Sequence, residues 1–238
     1  MSYCKAINNM KSDELSVHKV YHDKQYGFPI DDDNELFCRL ILEINQAGLS
    51  WTTILKKQEG FRKAYHNFDI KKVAAYKDKD VQRLLNDAGI IRNRLKINAA
   101  IENAKTILSL QKESGSFKKW LTHHHPKSRE EWTTLFKKTF RFTGGEIVNE
   151  FLVSTGFLSG AHDDACPVYK KVLKANQSGM RNKKLWLIIK VGLILLLTAV
   201  IFAMPTNDPF RKWFRFIMLV VFVVSFLVDL NNYRKSKP

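Results

Sequence analysis

A histidine and a cysteine, His162 and Cys166, stand four residues apart in the segment AHDDAC. This pair supplies half of a tetrahedral zinc site, since structural zinc takes four nitrogen or sulfur ligands. The other candidate ligands are Cys4, His18, His22, Cys38, His66 and His123–His125. Cys4 with either His18 or His22 would complete the site and tie the N-terminus to the region of residue 162. The alternative is that these scattered residues have no common role.

An acidic residue, Glu43, falls on a helical wheel at the edge of the apolar stripe that contains Leu36 and Leu40. A carboxylate in that position is costly unless it is hydrogen-bonded or faces a pocket. The aromatic residues that flank this helix in the sequence are Tyr21, Tyr26 and Trp51. A carboxylate beside aromatic faces suits a flat cationic ligand, which both charge attraction and cation–π contact would hold. The alternative is a structural carboxylate that forms hydrogen bonds within the fold.

The segment NDAGIIRNRLK places a glycine and a two-residue apolar turn between two helical patterns. This order predicts a helix–hairpin–helix whose second helix starts near Arg92. Backbone N–H groups at the start of that helix can bind a phosphate, with cations close by. The residues of the predicted hairpin site are Gly89, Ile90, Ile91, Arg92, Arg94 and Lys96. An ordinary turn between two helices, with solvated cations, would give the same pattern.

Charge and apolar content divide the 238 residues into two parts. The chain has 39 Lys+Arg and 23 Asp+Glu. Residues 177–238 contain 10 of the Lys+Arg and 2 of the Asp+Glu, and these charges lie around long apolar runs. The basic excess favours a polyanion or an anionic lipid surface as a partner. Three cysteines are too few for a disulfide framework and fit a reducing compartment. Since the first residues lack an apolar signal segment, we expect residues 1–176 to lie in the cytoplasm.

Helical periodicity runs through residues 1–176, and no alternating pattern of useful length occurs. We therefore predict one all-α domain over this range. Asp32 and Asp33 are candidate caps for a helix that Gly48 ends. The clearest helical segments are 31–48, 51–66, 79–113 with a break at Gly89, and 143–156.

Two apolar runs, 185–204 and 213–230, follow within a C-terminal region over residues 177–238. A helix of 20 residues is about 30 Å long, which is the thickness of a bilayer's hydrocarbon core. Both runs are apolar on every side, unlike the surface helices of a soluble domain. We therefore predict a linker and a hairpin of two transmembrane helices. A buried helical pair is the alternative.

The cations around these runs predict the orientation of the hairpin. Six cations lie on its outer flanks: Arg181, Lys183, Lys184, Arg234, Lys235 and Lys237. Three lie on the loop side: Arg211, Lys212 and Arg215. The larger number on the outer side predicts that both termini lie in the cytoplasm, with the N-terminal domain anchored to the membrane.

Five sequence blocks, in this order, resemble the DNA-3-methyladenine glycosylase I family over residues 4–174. They are YHDKQYGFP (21–29), LEINQAGLSWTTILKK (42–57), FRKAYHNFD (61–69), DAGIIRNRLKINAAIENA (87–104) and HDDAC (162–166). The resemblance implies an all-helical helix–hairpin–helix glycosylase that holds one structural zinc. The zinc ligands it implies are Cys4, His22, His162 and Cys166. It places Glu43 and Trp51 in the base pocket and assigns the hairpin to DNA binding, and the zinc would bring Tyr21 and Tyr26 near that pocket. We expect Glu43 to be the catalytic residue, through recognition and electrostatics.

The resemblance also implies an activity, namely hydrolysis of the N-glycosidic bond of 3-methyladenine in alkylated DNA, a step of base excision repair. We expect double-stranded DNA with alkylated bases and the lipid bilayer as partners, and no nucleotide cofactor. The alternative is a non-catalytic, zinc-containing DNA-binding module that tethers DNA to the membrane. Four positions depart from the family pattern and bear on substrate range and rate. Gln25 and Tyr26 replace an acid and a tryptophan, and Asn149 and Val153 replace a tyrosine and a glutamine.

Overall fold

The computed structural model describes residues 3–8, 10, 12–203 and 208–235, and these residues form helices and no strand. The all-α prediction is therefore confirmed. The chain divides into two compact units, Met1–Leu173 and Lys174–Pro238. The α-helices are α1 Tyr3–Asn8, α2 Ser12–Lys24, α3 Asp33–Gln46, α4 Trp51–Lys56, α5 Gln58–Ala64, α6 Ile70–Ala74, α7 Asp78–Leu85, α8 Arg94–Ser114, α9 Phe117–His124, α10 Arg129–Thr139, α11 Gly145–Ser154, α12 Tyr169–Ala203 and α13 Pro209–Lys235.

The central helix of the first unit is α3, in which every residue from Leu36 to Asn45 is buried. It begins where the Asp32 side chain accepts a hydrogen bond from the backbone N–H of Glu35 at 2.9 Å. It ends before Gly48, whose φ of +82° favours glycine. Helices α4, α8, α9 and α11 all pack against α3. Glu43 therefore lies inside the protein, although the wheel placed it only at the edge of the buried stripe.

Large aromatic side chains fill the core around α3. Trp132, Phe117, Phe136 and Phe151 are fully buried, and the rings of Phe117 and Phe151 stack at a centroid distance of 6.3 Å. Burying a side chain of this size contributes about 1.5–3 kcal/mol to folding. The core thereby fixes α3 and α11, the helices that carry the charged residues of the site described below.

Two predicted helix boundaries are wrong, for local reasons. The helix predicted over 51–66 is interrupted at Lys57, whose φ of −101° and ψ of 2° separate α4 from α5. The second helix of the hairpin begins at Arg94 instead of near Arg92. Asn93 is its N-cap, and the Asn93 side chain accepts the backbone N–H of Lys96 at 3.2 Å.

The second unit contains most of α12 and all of α13. The stretch Pro209–Asn231 is long and apolar enough to cross a membrane, while the apolar stretch Leu185–Ile201 is shorter. The predicted pair of transmembrane helices therefore stays a prediction. Met204, Lys237 and the side chains of Arg181, Lys183, Lys184 and Lys235, on which part of that prediction rests, lie outside the described residues.

Candidate active site and metal centre

Four predicted zinc ligands come together in the first unit, where their ligand atoms all lie within 4.8 Å of one another: Cys4, His22, His162 and Cys166. The two histidine nitrogens that face each other are 3.2 Å apart, and the sulfur–nitrogen distances are 3.3–3.7 Å. A zinc tetrahedron with bonds of about 2.3 Å to sulfur and about 2.0–2.1 Å to nitrogen has edges of about 3.3–3.8 Å. The donor types and their spacing therefore fit one tetrahedral zinc ion.

Each histidine of this cluster uses its other ring nitrogen for a second partner. His22 Nδ1 lies 2.7 Å from Asp23 Oδ1, and His162 Nε2 lies 2.8 Å from the carbonyl oxygen of Tyr26. Such partners orient ligand histidines and fix which nitrogen faces the metal. Gly27 allows the segment around His162 to come this close to the turn after α2. Its φ of +79° favours glycine, and an added Cβ would clash with Ala161 Cβ at 2.6 Å.

The structure distinguishes between His18 and His22, either of which could be a ligand on sequence spacing alone. His18 does not join the cluster: its ring nitrogens contact the Tyr3 hydroxyl at 2.8 Å and the Thr52 hydroxyl at 2.9 Å. Cys38 is buried in the main core, and His66 contacts the Tyr76 hydroxyl at 2.5 Å. Of His18 and His22, therefore, His22 is the one whose ring nitrogen faces the other three ligand atoms.

An aromatic cluster adjoins the cysteine–histidine cluster. Tyr21 packs against Tyr26 at a centroid distance of 5.5 Å and against Trp51 at 5.1 Å. Tyr3 packs against Tyr26 at 5.1 Å and against His22 at 5.8 Å. The sequence did not single out Tyr3, although its position next to Cys4 was a usable signal. The three base-pocket aromatics predicted from the resemblance are therefore in one cluster, which Tyr3 extends.

The Glu43 carboxylate is the central charged group near these rings. Burial raises its pKa from 4.5 to about 8, while the positive charge of Arg39 acts in the opposite direction and Glu150 adds to the increase. The pKa of this carboxyl group is therefore governed by burial and by the two neighbouring charges.

Two charged residues that the sequence analysis missed complete the surroundings of Glu43. Arg39, one helical turn earlier, is buried, and its Nη1 donates a hydrogen bond to the Tyr21 hydroxyl at 2.9 Å. Its guanidinium also lies 4.9 Å from the centre of the Tyr21 ring. Glu150 on α11 accepts a hydrogen bond from the Tyr26 hydroxyl at 3.2 Å. Arg39 could have been found from the sequence, because it lies four residues before Glu43 on the same helix. Glu150 could not, because its contact with Tyr26 joins residues 124 positions apart.

The predicted hairpin is a close-packed turn between α7 and α8. An added Cβ on Gly60 would lie 2.3 Å from the carbonyl oxygen of Gly89, so the two backbones meet at glycines. Lys57 Nζ donates to the carbonyl oxygen of Ala88 at 2.6 Å. Ile90 is buried and anchors the turn to the core.

The cations of the hairpin have different surroundings. Arg92 and Arg94 are exposed and Ile91 is half-buried, so both guanidinium groups are available to a ligand. Lys96, in contrast, is buried, and its ammonium donates to the carbonyl oxygens of Asn45 at 2.9 Å and Ala47 at 2.7 Å. The assignment of Lys96 to DNA binding is therefore corrected: its ammonium satisfies the C-terminal carbonyl groups of α3.

Comparison with known proteins identifies the first unit. A family model described as methyladenine glycosylase matches residues 10–169. The chain belongs to the methyladenine glycosylase family. DNA-3-methyladenine glycosylase 1 of Escherichia coli (strain K12) is 37% identical over 172 residues, which cover 64% of this chain and 91% of that protein. The corresponding protein of Haemophilus influenzae is 34% identical over 173 residues, covering 65% of this chain and 93% of its own length.

Solved structures agree with this assignment. That of 3-methyladenine DNA glycosylase I from Staphylococcus aureus has a TM-score of 0.59 at 32% identity and covers 64% of this chain and 90% of that one. The structure of a Glu-to-Gln mutant of the Staphylococcus aureus enzyme has a TM-score of 0.63 at 30% identity, and the match covers 71% of this chain and 97% of that one. As a member of this family, the chain is a DNA glycosylase, an enzyme that hydrolyses the bond between a base and its sugar.

The four departures from the family pattern lie at or near the candidate site of this glycosylase. Gln25 Oε1 accepts a hydrogen bond from Gln58 Nε2 at 3.3 Å. Val153 packs in the same apolar cluster as Tyr21 and Tyr26. Asn149 Nδ2 donates to Glu150 Oε1 at 3.3 Å. The departures therefore change the lining around the aromatic rings while the helices that carry them are kept.

Proposed function

We propose that this glycosylase removes 3-methyladenine from alkylated DNA and that its C-terminal unit anchors it to a membrane. The observation that carries the catalytic part is the buried Glu43 carboxyl group, which interacts electrostatically with Tyr21 and Tyr26, the rings that cluster with Trp51. Relatives support the substrate, since two are named DNA-3-methyladenine glycosylase and a related solved structure contains 3-methyladenine. The same site supports this substrate on chemical grounds.

Methylation at N3 gives adenine a positive charge and weakens its bond to the sugar. The enzyme must take the nucleotide out of the stack, after which aromatic rings can hold the base by stacking and cation–π attraction. An ionised Glu43 would then complement the charge and the edge of the base. Water attacks the anomeric carbon, and the base leaves neutral, so little acid catalysis is needed. We therefore assign Glu43 to recognition and electrostatic stabilisation.

We also propose that one structural zinc ion binds Cys4, His22, His162 and Cys166. The ion would join α1 and α2 to the segment that follows α11 and thereby fix Tyr3, Tyr21 and Tyr26. It would supply no chemistry to the reaction, because four protein ligands complete a tetrahedral structural site.

DNA would bind at the hairpin, through the backbone of Gly89, Ile90 and Ile91 and the N-terminus of α8, with Arg92 and Arg94 contacting phosphates. We expect Arg92→Ala to weaken binding of undamaged duplex DNA and to reduce the dependence of log K on log salt by about one. Binding titrations at several salt concentrations measure this slope.

Lys96→Met is the matched comparison, since it removes a cation from the same segment. We expect it to leave the salt slope unchanged and to lower the free energy of unfolding by about 1–3 kcal/mol, because two buried carbonyl groups lose a charged donor. An equal change of slope in both variants would contradict the assignment of Lys96 to the interior.

Abasic sites test the choice between the enzyme and the non-catalytic tethering module. The purified full chain, kept in detergent, is incubated with methylated duplex DNA, and abasic sites are counted by alkaline strand cleavage. The enzyme predicts abasic sites that accumulate with time. The tethering module predicts DNA binding without them, and the departures at Tyr26 and Asn149 would then be the first to revert.

Membrane attachment is supported by the exposed apolar surface of the second unit. Trp213, Phe214, Ile217 and Val221 are among the many large apolar side chains on α13 that are more than half exposed. At about 1.5 Å per residue, the 23 residues of its apolar stretch span about 34 Å, more than a hydrocarbon core of about 30 Å.

The one cation within the apolar run of α12 has partners on α13. Lys190 Nζ donates to Ser225 Oγ at 2.7 Å and to Asp229 Oδ2 at 2.5 Å. Charged residues inside membrane segments usually pair with one another, since an unpaired charge in lipid is costly. The pairing of Lys190 with Asp229 therefore supports two helices that enter the membrane together.

We expect the full chain to stay in the membrane pellet after an alkaline carbonate wash, because two apolar helices hold it in the bilayer. A chain that ends at residue 176 should be in the supernatant. As a matched control, Val221→Arg with Val224→Arg in the full chain should shift protein to the supernatant, since two charges in mid-helix oppose insertion. A full chain that is soluble without detergent would overturn the anchor.

A further inference from the structure

A second carboxylate, Glu150, lies beside the candidate pocket and has no role in the scheme above. Its Oε2 accepts a hydrogen bond from the Tyr26 hydroxyl at 3.2 Å, and its Oε1 accepts one from Asn149 Nδ2 at 3.3 Å. Both donors are neutral, so these bonds hold the carboxylate in place without cancelling its charge. The ring of Tyr26 thus connects Glu150 directly to the aromatic cluster.

Four ionisable groups interact electrostatically with Glu43: Arg39 on the same helix, Tyr21 on α2, Tyr26 in the turn after α2, and Glu150 on α11. Burial raises the pKa of both tyrosines well above 10, so they stay neutral at physiological pH. Arg39 and Glu150 are therefore the charged neighbours, and they act on the pKa of Glu43 in opposite directions.

The charges of these groups can be balanced in two ways. With Arg39 positive and Glu150 negative, the pocket is neutral while Glu43 holds its proton. If both carboxylates ionise, the pocket has one net negative charge. A base that carries one positive charge neutralises exactly that excess, whereas a neutral base leaves it uncompensated in a buried site, which is unfavourable.

We propose that Glu150 is a specificity-determining residue that adds the negative charge by which the pocket selects a cationic base over a neutral one. The inference rests on the proposed function and extends it. Without Glu150, Arg39 alone would balance Glu43, and a cationic base would leave a net positive charge. Entry of a cationic base into the native pocket favours release of the Glu43 proton to solvent, so binding strengthens as the pH rises.

The pH dependence of catalysis tests this role. The full chain in detergent is assayed for kcat/KM on methylated DNA between about pH 6 and about pH 9, as the native protein, as Glu150→Gln and as Glu146→Gln. Glu146 lies one turn earlier on α11, and its exposed carboxylate pairs with Arg129. We expect native and Glu150→Gln proteins to be similar near pH 6 and to differ about tenfold near pH 9, which corresponds to one pKa unit of interaction. Glu146→Gln should follow the native protein throughout.

A Glu150→Gln protein whose kcat/KM is reduced by the same factor at every pH would overturn the inference, since a purely structural role gives that result. Thermal unfolding supplies a readout that does not need activity. Because Glu150 opposes ionisation of Glu43, Glu150→Gln should raise the midpoint more at high pH than at low pH, and Glu146→Gln should not. A difference in midpoint that is independent of pH would also overturn it. If the native protein releases no base while this pH-dependent difference is present, the proposed substrate is wrong but the charge pairing is supported.

Discussion

Glu43→Gln should reduce the release of 3-methyladenine from methylated DNA by about a hundredfold or more, the usual effect of removing one electrostatic contact to the reacting group. The amide keeps the shape of the side chain and its ability to hydrogen-bond, but it cannot supply the negative charge that the cationic base requires. Single-turnover release of base, with enzyme in excess over damaged sites, measures the effect on the chemical step.

The same substitution should stabilise the folded domain. Since burial raises the pKa of Glu43 from 4.5 to about 8, the folded chain holds a proton that the unfolded chain gives up. Folding stability therefore falls as the pH rises from about 4.5 to about 8, and the loss is complete above that range. At pH 8 we expect Glu43→Gln to gain a few kcal/mol in the free energy of unfolding, measured with denaturant.

Glu35→Gln is the matched control on the same helix. Its carboxylate forms a bidentate ion pair with Arg62, with both distances 2.7 Å, and is partly exposed. We expect this change to leave base release intact and to lower stability slightly. A Glu43→Gln protein that keeps native activity, or one that is destabilised at pH 8, would contradict the role given to Glu43.

Loss of the metal should have the second large effect. We expect the purified chain to contain about one zinc ion, and Cys166→Ala to lose it together with base release. The physical reason is that the ion would link Cys4 and His22 directly to His162 and Cys166, next to the rings of Tyr3 and Tyr26. Metal analysis, thermal unfolding and base release of the same sample measure the three consequences.

His123→Ala is the control for this experiment, since His123 is exposed and lies outside the cysteine–histidine cluster. It should keep both the zinc and the activity. A folded native chain that binds no zinc would show that the cluster is not a zinc site, and one that stays active after complete removal of zinc would contradict the structural role of the ion.

The all-helical fold follows from the sequence because amphipathic periodicity is a local property. The relation between Glu43 and its surroundings is only partly local. The wheel identified a carboxylate that faces protein, but the burial of α3 on every side depends on helices that come from distant parts of the chain. The same wheel could have identified Arg39, whereas the contact of Glu150 with Tyr26 depends on the fold bringing α11 next to the turn that follows α2.

The histidine and lysine assignments show the same limit. His18 and His22 lie one helical turn apart, so spacing could not choose between them, and only the contacts of His18 with Tyr3 and Thr52 separate their roles. Lys96 follows two exposed arginines in a basic segment, and its interior position results from the approach of the α3 C-terminus. Neither distinction is encoded in neighbouring residues.

Release of 3-methyladenine is the activity that the pocket of Glu43 and the aromatic rings should give this enzyme. The most direct measurement incubates the full, zinc-loaded chain in detergent with methylated duplex DNA and identifies the free bases in the supernatant by chromatography. We predict a 3-methyladenine peak that grows with time and is absent with Glu43→Gln. DNA binding by the folded, zinc-loaded protein without release of 3-methyladenine would contradict the account.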